Sequence, residues 1–250
     1  MDTSTLASHA SRQPELLGQT VVVIGGSAGI GLETARRARA EGADVILTAR
    51  NPERLQGAAS ELAALRTAAF DANDPASLER FFLGLPTPID HVMVTGPGPR
   101  YWPLMEMEFE QARLALSEHI LLALWVARNA ASKVRPGGTL LFMGGTGARL
   151  GLALVSAVTA AMPAFVAGLA LDLAPVRVNL IAAGFVDTPL SAALLGDGLD
   201  ARRDELRATL PIRRVVGPAD VAALAVHIMI NETLTGATYD IDGGQQLVAG

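Results

Sequence analysis

Three glycines near the amino-terminal end have a spacing that could bind a phosphate group. Gly25, Gly29 and Gly31 directly follow the uncharged, β-branched run Val21–Ile24. Glycine permits a sharp turn and lets the backbone approach a ligand without a Cβ in the way. A helix that begins at such a turn points its first N–H groups at it, which favours a negative charge there. The alternative is a plain strand-to-helix turn without a ligand.

The residues around these glycines form a strand–turn–helix–strand unit. Gly42 is expected to end the helix, and Val45–Leu47 is the predicted second strand. Within a unit of about 30 residues, the glycine pattern becomes a hypothesis of a dinucleotide site. The turn residues expected to contact the dinucleotide are Gly25, Ser27, Gly29, Ile30 and Gly31.

Composition limits the remaining chemistry. The chain has no cysteine, which excludes disulfides, thiol nucleophiles and cysteine-based metal sites. Its histidines have no metal-ligand spacing, so we expect no metal; they are His9, His91, His119 and His227. A net charge of −5 without a basic stripe argues against nucleic-acid binding.

The length of 250 residues, half of them hydrophobic, suits one α/β domain. Residues 1–16 are polar and lack the apolar centre of a signal peptide, so we expect a flexible arm before a domain at 17–250. We also expect a cytoplasmic protein.

One uncharged segment, Leu150–Leu171, is long enough to cross a bilayer. Pro163 interrupts it, small residues dominate it, and no aromatic belt flanks it. A helix that is apolar all round can equally be buried between a sheet and another subunit, so we predict no membrane span.

Strand and helix patterns alternate along the rest of the chain. The predicted strands after the first unit are 67–70, 89–95, 139–143, 176–181 and 237–241, and the predicted helices are 52–64, 106–133, 152–173 and 218–230. Pro136–Gly138 is expected to end the long helix. This alternation predicts a single-domain, doubly wound fold with a seven-stranded parallel sheet and helices on both faces. Thr188–Leu210 is predicted to be a mobile lid over the substrate.

Four stretches resemble motifs of one enzyme family. Ile24–Gly31 is similar to TGxxxGxG, with isoleucine in place of threonine, and Leu171–Asn179 is similar to LELAPxRVN. Ala183–Pro189 resembles PGFVxTP with alanine in place of proline, and Pro211–Gly244 is close to the end of the same family. On these motifs the chain is identified as a member of the short-chain dehydrogenase/reductase family, whose members have a Rossmann fold.

The resemblance implies hydride transfer between NAD(P) and a carbonyl or alcohol. In the family a tyrosine gives the proton, a lysine four residues later lowers its pKa, and a serine orients the substrate. The corresponding positions hold Val155, Thr159 and Gly145. Valine has no proton to give, and threonine carries no cation that could stabilise a phenolate. The one lysine of the chain, Lys133, lies at the end of the preceding predicted helix.

Two other residues are weak candidates for the proton donor. His119 stands where the family has an asparagine that faces the site, and it titrates near neutral pH; the alternative is a core histidine between helices. Tyr101 follows the fourth strand, at the edge where ligands bind; the alternative is an apolar lid with Trp102. Asp187 is interpreted as a turn residue.

The predicted cofactor is NADP(H) in preference to NAD(H). At the end of the second strand, where NAD-dependent relatives have an acid, this chain has Ala49 followed by Arg50. A missing carboxylate and an adjacent guanidinium suit a 2′-phosphate. The alternative is that Arg50 is a solvated surface charge.

The resemblance also assigns the other cofactor contacts. Asp71 and Ala72 would contact adenine, Gly96 belongs to the loop that replaces the family's NNAG, and Val186 and Thr188 would hold the nicotinamide amide. For Asp71 the alternative is a cap of the helix that follows.

We therefore expect an NADP(H)-dependent oxidoreductase with non-standard proton transfer and a small hydrophobic carbonyl, alkene or imine substrate. Two alternatives stay open: a regulatory protein that binds the nucleotide without turning it over, and a non-redox lyase or isomerase. The resemblance also implies a homodimer or homotetramer, assembled through the predicted helices 106–133 and 152–173.

Overall fold

A computed structural model describes residues 13–96, 98–99, 104–146 and 153–248. The strands are β1 (Thr20–Ile24), β2 (Asp44–Ala49), β3 (Arg66–Ala69), β4 (Ile89–Val94), β5 (Val134–Gly145), β6 (Arg177–Ala183) and β7 (Thr238–Ile241). The helices are α1 (Gly29–Ala40), α2 (Pro52–Leu62), α3 (Pro75–Leu83), α4 (Phe109–Ala130), α5 (Ala153–Asp172), α6 (Pro189–Leu195), α7 (Leu199–Thr209), α8 (Pro218–Ile230) and α9 (Gln245–Val248). Short 3-10 helices lie at Leu104–Glu106 and Gly196–Gly198.

The seven strands form one parallel sheet in the order β3-β2-β1-β4-β5-β6-β7. Alternate residues of each strand face opposite sides, so two cores form. Val22 and Leu140 face α3, α4 and α5, whereas Val23 and Leu141 face α1, α2 and α8. The predicted doubly wound architecture is confirmed. Because strand order reverses between β1 and β4, a crevice opens at the carboxyl ends of these strands.

The long predicted helix is shorter than expected, and the strand after it is longer. α4 begins after Glu108, whose side chain forms a capping box with Gln111, and it ends at Ala130. β5 then starts at Val134, so the predicted stop at Pro136–Gly138 lies inside the strand. The β4–β5 register shifts at this point, which accommodates the extra residues as a bulge.

The predicted lid and arm also differ from their sequence-based description. Most of Thr188–Leu210 is helical, because α6 and α7 lie within it. At the other end, Leu16 is fully buried and its N–H donates to the Glu41 carbonyl at 2.9 Å. The folded part of the chain therefore begins before residue 17.

α5 is the one helix in the described ranges whose length and apolar composition would suffice to cross a membrane. In the fold it packs against β5, β6 and α4 and contributes Val158, Met162 and Val166 to the core. This packing accounts for its buried face, which comprises 28% of its most apolar 18 residues.

Candidate functional site

The glycine turn after β1 has the backbone that only glycine adopts readily. Gly25 and Gly29 have positive φ angles of 91° and 53°. A Cβ at Gly31 would collide with the carbonyl oxygen of Gly25, so α1 packs directly on the turn. The Thr95 hydroxyl is within 3.1 and 3.2 Å of the carbonyl oxygens of Ile24 and Gly25 and braces the turn from β4.

The amino terminus of α1 is open towards a ligand. Its N-cap is Ala28, and within the described part of the chain no side chain caps the helix and no acid lies in its first turn. The first N–H groups and the positive end of the helix dipole are thus available to an anion. A Cβ built at Gly29 would lie 3.5 Å from the Thr188 side chain, so the turn faces the loop after β6.

Arg50 lies close to this turn. The N–H groups of Gly25 and Gly26 donate to the Thr48 carbonyl at 3.0 and 2.9 Å, which holds the end of β2 against the turn. Arg50 follows two residues later and is exposed. Among the described residues, none forms a hydrogen bond or ion pair with its guanidinium, which leaves it available to a phosphate.

Asp71 does not cap the helix that follows, so that alternative is wrong. The N-cap of α3 is Asp74, whose side chain accepts from the Ala76 N–H at 3.2 Å. The Asp71 carboxylate accepts from the Asn73 N–H at 3.0 Å instead. The last residue of β3, Ala69, pairs with Ala49 of β2. Asp71 and Ala72 therefore lie at the same edge of the sheet as Arg50, beyond the carboxyl ends of these two strands.

A cavity of about 490 Å³ opens at the carboxyl ends of β4, β5 and β6, which is a volume typical of small-molecule sites. It brings together positions that are far apart in the chain. The expected site residues that line it are Ile30, His119, Gly145, Val155, Thr159, Val186 and Thr188. The described residues expected at the rest of the dinucleotide lie outside its lining: Gly25, Ser27, Gly29, Gly31, Arg50, Asp71, Ala72 and Gly96.

Most of the cavity wall is apolar. Leu190, Leu194 and Leu195 close it from α6, and Val158 and Met162 line it from α5. The Thr159 hydroxyl donates back to the carbonyl of Val155 at 2.9 Å, as helix threonines often do. That hydroxyl is therefore engaged within its own helix.

Two adjacent residues of α4 also line the cavity. His119 is half-buried on the wall, and Glu118 beside it is buried. Glu118 is absent from the sequence-based candidates. The sequence did hold a signal for its burial, because Ala115, Glu118 and Leu122 have the spacing of one helix face. The two apolar residues of this set, Ala115 and Leu122, are buried. Tyr101, the other weak candidate, lies outside the described residues.

The loop after β6 is fixed at several points. Val186 pairs with Val216, and Thr188 is the N-cap of α6 in a capping box with Ser191. Asp187 does more than turn the chain, because its carboxylate accepts two hydrogen bonds from Arg203 of α7, at 2.9 and 2.8 Å. These contacts attach α6 and α7 to the loop after β6.

Neither the one lysine of the chain nor Tyr239 lines this cavity. Lys133 lies at the amino end of β5, where its ammonium group is 3.4 Å from the Thr87 hydroxyl, at the opposite edge of the sheet. Tyr239 lies within β7. Among the described residues there is also no group of three or more metal-ligating side chains.

The fold and the site define a doubly wound α/β protein with a glycine-rich turn next to an apolar cavity. A family model described as enoyl-(acyl carrier protein) reductase matches residues 25–246. The chain therefore belongs to the short-chain dehydrogenase/reductase family.

Known proteins resemble the chain over nearly its whole length. The short-chain dehydrogenase/reductase malC of Malbranchea aurantiaca is 27% identical over 253 residues, which cover 93% of this chain and 96% of malC. Its structure, described as that of a reductase/Diels-Alderase, has a TM-score of 0.86 at 25% identity and covers 94% and 99% of the two chains. The oxidoreductase MT0954 of Mycobacterium tuberculosis is 30% identical over 246 residues, covering 90% and 91%. BdcA, solved in complex with NADPH, has a TM-score of 0.81 at 25% identity and covers 92% and 95%.

Proposed function

We propose that the protein is an NADP(H)-dependent oxidoreductase that acts on a small hydrophobic substrate without a tyrosine–lysine pair. The cavity carries this proposal. It joins Ile30 of the glycine turn, together with Val186 and Thr188, which are expected at the nicotinamide, to Val155 and Thr159, which stand at the family's catalytic positions. Cofactor and substrate positions therefore share one space, although the usual acid is missing from it.

The glycine turn fits a dinucleotide. Positive φ angles at Gly25 and Gly29 and the missing Cβ of Gly31 let the backbone approach a pyrophosphate. Arg50 offers its guanidinium to a 2′-phosphate, and the NADPH complex of the related BdcA supports the same cofactor here. The bound cofactor supplies or accepts a hydride. We assign adenine contacts to Asp71 and Ala72, a loop contact to Gly96, and nicotinamide contacts to Val186 and Thr188.

The chain's own residues position the substrate and exclude water. The leucines of α6 and the apolar side chains of α5 surround the reacting groups, and positioning alone can supply a large part of a rate enhancement. A positioned general acid contributes on the order of 10² to 10⁴ in rate. A substrate that is already electrophilic depends less on a general acid. The proposed substrate class therefore comprises activated carbonyls, alkenes and imines.

Calorimetry with NADPH and NADH tests the cofactor assignment. We expect NADPH to bind more tightly, and Arg50→Gln to weaken NADPH binding about tenfold, or about 1.4 kcal/mol, while NADH binding is unchanged. Arg54→Gln, an exposed position on α2, is the matched control. Equal affinity for the two cofactors would refute the preference, and no affinity for either would refute the whole proposal.

Turnover is tested by stopped-flow oxidation of NADPH with a panel of activated ketones, alkenes and imines. Binding of cofactor without consumption across the panel would favour the second candidate, a regulatory nucleotide-binding protein. That candidate is favoured by the residues Val155 and Thr159 at the catalytic positions.

A non-redox activity is a third candidate, because the related MalC is described as both a reductase and a Diels-Alderase. Product formed without any change in nicotinamide absorbance would identify it.

We further propose a homodimer or homotetramer in the cytoplasm. α4 exposes Leu114, Leu121 and Leu124, each at 40% or more of its surface, beside the largely apolar outer face of α5. Such a surface favours contact with a second copy.

A further inference from the structure

The described lining of the cavity includes a side-chain amide whose orientation is fixed by the fold. Gln245, the first residue of α9, is half-buried on this lining. Its Oε1 accepts a hydrogen bond from the Phe185 N–H at 2.9 Å. Because only the oxygen of an amide accepts, this bond identifies the other terminal atom as the nitrogen. The NH2 group has two N–H donors, and among the residues that the structure describes none accepts from them.

The turn after β7 holds Gln245 in place. The buried Asp242 carboxylate accepts from the Gly244 N–H at 2.8 Å, and Gly244 has a positive φ of 85° that glycine adopts readily. A Cβ built at Gly184 would lie 2.8 Å from Gln245 Oε1, so the glycine leaves room for the amide. The side chain is therefore fixed at both ends, by this turn and by its bond to Phe185.

Strand pairing brings Gln245 to the same edge of the sheet as Gly145, which is assigned to the family's serine position. Gly145 of β5 pairs with Ala183 of β6, and Ala183 pairs with Ile241 of β7. Neighbouring strands are about 5 Å apart, so Gly145 lies about 10 Å from Ile241. Glycine offers no hydroxyl that could orient a substrate. Gln245 follows Ile241 by one short turn and lines the same cavity, so its amide can supply that hydrogen bond.

Most other polar side chains on the described lining already interact within the protein: Thr95, Glu118, His119, Thr159, Ser191 and Arg202. The hydroxyl of Thr188 belongs to the capping box of α6, and this residue is assigned to the nicotinamide. The hydroxyl of Thr146, next to Gly145, is the alternative donor to a substrate. The experiment must therefore distinguish Gln245 from Thr146.

We propose that Gln245 binds the carbonyl oxygen of the substrate through its side-chain NH2 group and makes the site specific for neutral carbonyl compounds. The inference rests on the proposed hydride transfer and narrows its substrate class. The carbonyl carbon accepts a hydride, and a C–H bond forms as the reduced nicotinamide is oxidised. The π electrons of the C=O bond pass to the oxygen. The resulting alkoxide takes a proton from solvent water, and the product is an alcohol.

A neutral amide fits this role because it donates hydrogen bonds without giving up a proton. A hydrogen bond to a charged oxygen is stronger than one to a neutral oxygen, so the amide stabilises the transition state more than the bound ketone. An isolated alkene has no acceptor for the NH2 group, and a protonated imine has no lone pair on its nitrogen. Both classes therefore gain nothing from Gln245.

Binding of a matched pair of ligands tests the hydrogen bond without turnover. 1-Tetralone has a carbonyl oxygen, and 1-methylenetetralin has a CH2 group in its place. On protein saturated with NADP⁺, we expect Gln245→Met and Gln245→Glu each to lower the ratio of the tetralone affinity to the methylenetetralin affinity about tenfold in calorimetry. At pH 8 the glutamate variant still accepts from the Phe185 N–H but has no donor. If Gln245→Met does not fold, Gln245→Glu therefore decides.

Gln246→Met is the matched control. Gln246 follows directly in α9, and its amide donates to the Asp240 carboxylate at 3.1 Å, outside the cavity lining. This variant should keep the affinity ratio of the unaltered protein. All variants should keep the affinity for NADP⁺.

Turnover of an activated ketone tests the same bond in the reaction. With NADPH and 2,2,2-trifluoroacetophenone, we expect both Gln245 variants to lower kcat/KM at least tenfold. The loss should lie mainly in kcat, because the hydrogen bond strengthens as charge develops on the oxygen. Gln246→Met should be unchanged.

The outcomes separate the inference from the proposed function. An unchanged affinity ratio in both Gln245 variants would overturn the inference. A loss in Gln245→Met alone would do so too, because the side chain would then act only by holding Phe185. A loss in Thr146→Val without one in the Gln245 variants would make Thr146 the donor. In these three cases the oxidoreductase function stands. If NADPH binds and no ketone, alkene or imine is reduced, that function fails, and the affinity ratio alone decides whether Gln245 binds the carbonyl oxygen.

Discussion

His91 shows how a single buried side chain can make stability depend on pH. It lies on β4, is 1% exposed, and its Nε2 is 2.7 Å from the Gln19 side-chain oxygen. Nε2 is therefore assigned as the donor, and among the described residues Nδ1 has no hydrogen-bond partner. Burial, opposed by nearby Asp90, lowers the pKa of His91 from 6.5 to about 3. Protonation would place an additional charge in the core.

We predict that this histidine weakens the fold as the pH falls. Because its folded pKa lies below its unfolded pKa, the unfolded state binds more protons between about pH 6.5 and 3. Stability is thus complete above pH 6.5 and decreases by about 1.4 kcal/mol per pH unit below it. Urea unfolding at pH 7.5 and 5.5 measures the change.

The variant His91→Gln should remove this part of the pH dependence, since glutamine does not titrate. His227→Gln alters an exposed histidine of α8 and should leave the pH dependence as it is. An unchanged difference between the two pH values in His91→Gln would contradict the assignment.

At the scale of elements, Arg177 connects β6 to the end of α8. Its buried guanidinium donates to the carbonyls of Gly137 at 3.0 Å, Ile228 and Leu234 at 2.9 Å, and Met229 at 2.8 Å. Two of these carbonyls belong to the last turn of α8, which has no partners for them within the helix. Burial lowers the pKa of Arg177, although the group remains an effective donor.

We predict that Arg177→Met lowers the free energy of unfolding by about 3 kcal/mol or more, because buried carbonyls lose a charged donor. Arg177→Lys should recover only part of this loss, since an ammonium cannot reproduce the planar fork. Urea denaturation measures both, and Arg54→Met, at an exposed site, is the control. A loss below 1 kcal/mol in Arg177→Met would show that water replaces the guanidinium.

The ion pair between Arg203 and Asp187 joins α7 to the loop after β6, at one end of the predicted lid. Both side chains are about 30% exposed, at 29% and 31%, so the pair should contribute about 1 kcal/mol or less to global stability. Its local effect should be larger, because it joins α7 to the loop that holds Val186 and Thr188. We predict that Arg203→Ala accelerates hydrogen exchange in residues 189–209 several-fold without lowering the melting temperature appreciably.

Arg207→Ala is the matched control for this lid prediction. Arg207 pairs with Asp204 within α7, and both side chains are more than half exposed. If the amide hydrogens of residues 189–209 exchange at the same rate in Arg203→Ala and Arg207→Ala, the ion pair with Asp187 does not stabilise this segment.

At the scale of the whole molecule, the apolar surface of α4 and α5 predicts self-association. We expect light scattering at micromolar concentration to give at least twice the chain mass of 26.0 kDa. Leu121→Lys should shift the protein towards the monomer, because a charge in a buried interface loses its hydration. Leu83→Lys, exposed at the end of α3, should not. A monomeric mass for the unaltered chain would contradict the proposed assembly.

Much of the fold could be predicted because local patterns carry it. The β-branched run before the glycines, the start of α2 at Pro52, and α8 follow from residue types alone, and α8 has the predicted bounds. The segment between α4 and β5 could not be predicted this way. The residue types of Pro136–Gly138 predict the end of a helix, yet these residues lie within β5, which pairs with β4 through a bulge. Tertiary pairing overrides local preference there.

The amino-acid sequence by itself determined the family and the glycine turn, and it predicts the cofactor role of Arg50 and the lack of a tyrosine–lysine pair. Each of these depends on residue type and spacing along the chain. Only the tertiary structure decided that Glu118 and His119 share a cavity with Val155, Thr159 and the loop at Thr188. It also decided that Asp187 pairs with Arg203, 16 residues away. These groups meet because the carboxyl ends of parallel strands lie at one edge of the sheet. The order of residues along the chain does not specify which side chains point into the space above that edge.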